Sequence, residues 1–148
     1  MYKILLGAHS GFRYVIFILI ALALIMALVG LFGKKNYSEL NRRVNLFTLI
    51  SAHIQLVIGI VLYFYSPLVK YSQMGAAMKD PMLRYWTVEH LVMMLFAVVL
   101  ITVGHSRSKK ALDAINKHRA IAIYYGLAIL VILAAIYQSG RPIIGSAG

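Results

Sequence analysis

ILLGAHSGFRYVIFILIALALIMALVGLF, Ile4–Phe32, is the longest apolar run in the chain, and its reading decides the fold. A helix of roughly 20 apolar residues crosses the ~30 Å of hydrocarbon in a bilayer, and this run is longer than that. Inside lipid every backbone N–H and C=O must find its partner within the segment, so the run is read as a helix. Its apolar stretch is too long for the core of a signal peptide, and no A-x-A-like site precedes a polar start, so it is read as a retained span. Three more runs follow, at about Val44–Ser66, Tyr85–Gly104 and Ala120–Gln138. The stops are Gly33-Lys34-Lys35, Ser66-Pro67, Gly104 with Arg107, Lys109 and Lys110, and Gly140-Arg141-Pro142.

The composition excludes the soluble alternatives. Of 148 residues 61% are hydrophobic and 13% charged, whereas soluble domains carry about 25% charged residues to cover their surface. Disorder goes with low hydrophobicity and is excluded more firmly. There is no cysteine, which removes disulfides, thiolate metal sites and thiol chemistry. The net charge of +11 sets 15 Lys and Arg against Glu39, Asp80, Glu89 and Asp113. In so apolar a chain that surplus belongs to loops facing anionic lipid, and no interleaved aromatic platform suggests nucleic acid. With no internal repeat and no linker, residues 1–148 are expected to form one all-α domain. The expected architecture is an integral membrane four-helix bundle, antiparallel and up-down-up-down.

Lys and Arg concentrate in cytoplasmic loops, which gives an orientation. Lys34, Lys35, Arg42 and Arg43 flank the first loop, and Arg107, Lys109, Lys110, Lys117 and Arg119 the third; the opposite face has Lys3, Lys70, Lys79, Arg84 and Arg141. Nine against five puts both termini and the Pro67–Arg84 loop on the outer, periplasmic side of a bacterial inner membrane. Tyr2, Tyr14, Tyr65, Tyr71, Tyr85, Trp86 and Tyr137 then fall near the outer boundary, as an interfacial belt does.

Ionisable residues inside spans are costly and mark function by default. Here they are His9, Arg13, His53, Glu89 and His90. His9 and His90 each lie about six residues in from an outer cation, roughly 9 Å deep at 1.5 Å per residue. Level imidazoles on the first and third spans can face each other across the core, as bis-histidine ligation of a b-type haem requires. Arg13, one turn from His9, is placed to neutralise a haem propionate or to pair with Glu89; structural glue between helices is the plainer reading of the same pair. His53 lies near the midplane, roughly 10 Å deeper, where it fits a hydrogen bond to a cofactor edge or quinone, a proton relay, or a structural interhelical bond. Gln55 points elsewhere on an ideal helix. His105 and His118 fall at the inner boundary, read as wet and needing no second haem. Met74, Met78 and Met82 suggest an amphipathic interfacial turn ahead of a Cu(I) thioether site.

Three stretches carry a resemblance: LGAHSGFRY (Leu6–Tyr14), HIQLVIGIVLY (His53–Tyr63) and RYWTVEH (Arg84–His90). They resemble small four-span bacterial membrane proteins labelled cytochrome b-like, over nearly the whole chain. A looser likeness is to the four-helix halves of haem A synthase, with His9, Arg13 and His90 matching its haem-holding residues. Here the arginine follows the histidine by four positions rather than adjoining it, so no enzymatic role carries over. The resemblance implies haem b and electron transfer.

The expected function is a b-type cytochrome-like membrane subunit that binds haem b through His9 and His90 and passes electrons between quinol and a partner, with quinone a possible second cofactor. Expected partners are the bilayer and either respiratory or other membrane subunits or further copies of the chain. The alternatives are a haem-free structural or assembly subunit, and a transition-metal (copper) site built from His9, His53 and His90. No Ser-His-Asp order, phosphate loop, H-E-x-x-H or paired carboxylate points to an independent catalyst. No span is broken at the midplane as transporters require.

Overall fold

The computed structural model describes residues 2–65, 79–84 and 88–139. Four long helices make up almost all of it: α1 (Tyr2–Phe32), α2 (Glu39–Tyr65), α3 (His90–Lys110) and α4 (Ala114–Ser139), with a single helical turn at Pro81–Arg84. All four are long and apolar enough to cross a membrane, so the chain is a multi-pass membrane protein by length and composition. No strand occurs among the described residues. Tyr71, Tyr85, Trp86, Met74, Met78, Lys70 and Arg141, invoked above, lie outside those residues.

The helix ends differ from the expected ones for identifiable reasons. α2 starts before Val44 because Ser38 and Asn41 cap it reciprocally: the Asn41 N–H donates to Ser38 Oγ at 3.2 Å, and the Ser38 N–H to Asn41 Oδ1 at 2.9 Å. α4 starts before Ala120 because Asp113 Oδ1 accepts the Asn116 N–H at 2.9 Å. Gly104 does not stop α3, which runs on to Lys110. It is buried instead where α4 crosses, in the space a Cβ would contest with Tyr124.

α1 closes with the Lys35 N–H donating to the Gly30 carbonyl at 2.9 Å, a Schellman turn. Its left-handed residue is Lys34, at φ 50°, not Gly33. Gly33 serves close approach: a Cβ there would lie 2.7 Å from the Val29 carbonyl oxygen.

Contacts run in a closed ring, α1 to α2, α2 to α3, α3 to α4 and α4 to α1, which leaves α1 opposite α3. The core is built of small and medium side chains, Ile20, Ala23, Ala27, Ala52, Ile101 and Ala128, around the fully buried Tyr125. Small residues let helices approach closely where apolar burial gives no drive in lipid. Large apolar residues point outward instead, as with Ile18, Leu22, Ile25 and Val29 on α1 and Phe47, Ile50, Ile54 and Val57 on α2. Polar groups face inward. On α2 the line Asn41, Asn45, Thr48, Ala52, Gln55, Gly59 follows alternating steps of four and three and faces the interior. In its first half the polar atoms find partners: the Thr48 hydroxyl donates to the Val44 carbonyl at 2.8 Å, and Tyr125 donates from α4 to the Asn45 carbonyl at 2.8 Å.

Candidate cofactor site

His9 and His90 project from opposite helices of the ring into one space. Their ring centroids are 6.3 Å apart and their planes cross at 77°. Metal–imidazole bonds are about 2.0 Å, and a ring nitrogen lies about 1.1 Å from its ring centre, so two axial imidazoles on one metal have centroids about 6 Å apart. The observed separation fits that arrangement.

α2 builds the wall behind His9. Gln55 and Gly59, one turn apart, both meet it: Gln55 Nε2 donates to the His9 carbonyl oxygen at 2.7 Å, and a Cβ on Gly59 would sit 3.2 Å from His9 Cε1. A larger residue at 59 would push the imidazole from its place. Two buried polar atoms at this α1–α2 contact, His9 Nδ1 and Gln55 Oε1, have no hydrogen-bond partner. Buried polar groups are nearly always satisfied, so such atoms mark a place where a polar or metal-bearing guest belongs. The spacing fits a cofactor that His9 and His90 would hold, while the orphaned Nδ1 lies on the edge of the His9 ring that meets Gly59.

The charged residues sort differently from expectation. Glu89 is not paired with Arg13: its Oε1 accepts from Arg84 Nε at 2.8 Å, because the single turn Pro81–Arg84 brings that guanidinium next to the start of α3. Arg13 lies over the ring of its neighbour Tyr14, 5.0 Å from the centroid, and donates from Nη2 to the tyrosine hydroxyl at 3.1 Å. Glu89 therefore belongs to the rim and is no partner for Arg13, which remains one turn from His9 on α1.

His53 is not in this site. It is exposed on the outward side of α2, and its Nδ1–H donates to the Leu49 carbonyl at 2.9 Å, one turn back on its own helix. A metal site of His9, His53 and His90 is not assembled; among the described residues no three His, Cys, Asp or Glu side chains converge as metal ligands. Of the methionine series, only Met82 is described, and it is exposed.

The reading of His118 as a wet boundary residue is corrected. Its side chain is 1% exposed, and Nε2–H donates to the carbonyl oxygens of Lys35 at 3.1 Å and Asn36 at 3.3 Å. It is packed against Tyr37 and into the space left by Gly30. His118 thereby receives the carbonyls that follow α1 and ties the first loop to α4. With that ring nitrogen engaged, His118 is structural, while His105 lies on α3 near Lys109 and Arg42.

No protein family profile, characterised protein or solved structure matches the chain.

Proposed function

We propose that the chain is a b-type cytochrome-like subunit of the bacterial inner membrane, holding haem b between His9 and His90 and carrying electrons between quinol and a partner near the outer face. The observation that carries this is the pair of imidazoles on opposite helices at 6.3 Å, one with a buried, unsatisfied ring nitrogen. His9 and His90 would hold the haem, which would supply one-electron chemistry at a potential tuned by those ligands and by burial. The chain's own residues do the positioning. Gln55 fixes the backbone of His9, Gly59 leaves room for its ring, and Arg13 offers a cation for a propionate. The Arg84–Glu89 pair balances charge at the rim.

The up-down-up-down course with periplasmic termini is part of the proposal. Supporting it, the start of α1 meets the end of α2 at Gln55 and Gly59, while the end of α1 meets the start of α4 at His118. The excess of cations around the first and third loops supports the orientation.

A dithionite-reduced minus oxidised spectrum of protein expressed with haem available tests the reading. A sharp b-type alpha band is expected, lost in His9→Ala and in His90→Ala and retained in His53→Ala. Folded, haem-supplied protein without the band would leave the second reading, a haem-free structural or assembly subunit. The edge-on 77° contact is also compatible with that reading, since unligated rings adopt it.

A further inference from the structure

Where α1 and α2 meet, two complementary groups are left over. His9 Nδ1 and Gln55 Oε1 are both buried, and neither has a hydrogen-bond partner. They belong to residues already joined, since Gln55 Nε2 donates to the His9 carbonyl oxygen at 2.7 Å. That bond also settles the carboxamide: a carbonyl takes a donor, so the nitrogen faces His9 and the oxygen is the end left over.

The His9 ring is oriented as well. From the place a Cβ on Gly59 would take, Cε1 lies at 3.2 Å and Nδ1 at 3.7 Å, while Nε2 is beyond 4 Å. Nδ1 is therefore on the α2 side of the ring, where Gln55 is, and Nε2 is turned away from that helix. Arg13, the other donor one turn from His9, is directed to Tyr14, whose hydroxyl accepts from Nη2 at 3.1 Å. A neutral imidazole carries one N–H and one lone pair, and the bond made by one nitrogen decides what the other presents. A carboxamide oxygen only accepts, so a bond to it requires the proton on Nδ1.

We propose that Gln55 Oε1 takes the His9 Nδ1–H, through a turn of the imidazole over Gly59, and so fixes the tautomer whose lone pair is at Nε2. Gly59 has no side chain to oppose that turn, and a buried donor and acceptor at one contact pair with each other in preference to staying unsatisfied. Gln55 is thereby a positioning residue. Metal-binding histidines are held in this way, the second nitrogen donating to an acceptor that orients the ring and raises its basicity. The tautomer belongs to the chain with nothing bound; only its use for axial ligation rests on the haem reading.

The full chain, isotope-labelled in its histidine rings and purified in dodecyl maltoside without haem, is read by long-range proton–nitrogen NMR at alkaline pH. The His9 signals are assigned by their loss in His9→Ala. Wild-type protein should show the Nδ1–H form. Gln55→Met, close in shape but without an acceptor oxygen, should leave His9 in the Nε2–H form that free histidine favours, and Gln55→Leu serves in its place should it not fold. Gln55→Glu keeps an acceptor oxygen while losing the amide donor to the His9 carbonyl, and should retain the Nδ1–H form. If Gln55 acted only through the backbone bond, the methionine and glutamate variants would behave alike; that result, or an Nε2–H ring in the wild type, overturns the proposal. In haem-loaded protein, loss of the acceptor should weaken ferric more than ferrous binding by about tenfold, raising the reduction potential by about 59 mV in Gln55→Met, with no rise in Gln55→Glu. A rise common to both variants also overturns it. An Nδ1–H ring that depends on Gln55, in a chain that shows no alpha band when supplied with haem, would sink the haem reading and leave this one standing.

Discussion

Gln55 Nε2 donates to the carbonyl oxygen of His9 at 2.7 Å, joining α2 to α1 at the residue whose imidazole faces His90. A helical carbonyl already receives the amide four residues on, so this is a second bond to the same oxygen. Gln55 also buries an unsatisfied Oε1. Gln55→Leu removes the bond and the orphan together, and the change in stability is expected to stay within about 1 kcal/mol. Haem affinity should fall by about tenfold, the scale on which groups that orient a metal ligand act. Haemin titration of the purified variant, beside its thermal melt, separates the two effects. A large loss of stability with unchanged haem affinity would make Gln55 purely structural.

Gly59 predicts a graded steric series. A Cβ at this position meets His9 Cε1 at 3.2 Å and Nδ1 at 3.7 Å, tight for the first contact and ordinary for the second. Gly59→Ala should shift the imidazole by a few tenths of an ångström and weaken haem binding modestly. Gly59→Leu cannot be accommodated without displacing the ring, at about 1–3 kcal/mol of overpacking, and should abolish the alpha band. Equal spectra for glycine, alanine and leucine would show that His9 is not held by this wall.

These two residues show where the sequence was readable and where it was not. The four helices follow from apolar length alone, and the level depths of His9 and His90 follow from counting inward from Lys3 and Arg84. Pairing across helices does not follow from depth. Glu89 adjoins His90 and Arg13 lies one turn from His9, yet Glu89 finds Arg84 through the turn at Pro81–Arg84. The line Asn41, Asn45, Thr48, Ala52, Gln55, Gly59 was present in the sequence as a small and polar stripe, and it identifies the inward face of α2. Read that way, it puts Gln55 inside and His53, about 200° away around the helix, outside. Ionisability alone singles out His53, whereas the inward face of α2 singles out Gln55. His118 escaped for a related reason: flanking cations suggested water, while Gly30, whose missing side chain makes the room it fills, is far away in sequence.

The Gly30–His118 contact is testable as a coupling. His118→Ala leaves the carbonyls of Lys35 and Asn36 without the imidazole donor and opens a cavity, for an expected loss of about 2–3 kcal/mol. Gly30→Ala drives a Cβ into the His118 ring and should destabilise the wild type by about 1–3 kcal/mol. In the His118→Ala background that clash is gone, so the two changes should be non-additive by at least about 1 kcal/mol. Denaturation of the four proteins in mixed micelles measures the term. Strict additivity would mean that the ring and the glycine do not share this space.

Lys34 holds the left-handed position of the turn that ends α1, at φ 50° and exposed. A side chain there costs roughly 1–2 kcal/mol that glycine avoids, because its Cβ crowds the neighbouring carbonyl. Glycine also gives up some stability through its freer unfolded chain, so Lys34→Gly should gain about 1 kcal/mol net. Lys34→Val should lose at least as much, a β-branched residue being the poorest fit to positive φ. Both substitutions remove the same charge, so any difference between their thermal midpoints reports the backbone and not the positive surface. Because Lys34 lies away from His9 and His90, the haem spectrum should be the same in both variants, and a glycine variant no more stable than the valine one would place the turn's strain elsewhere.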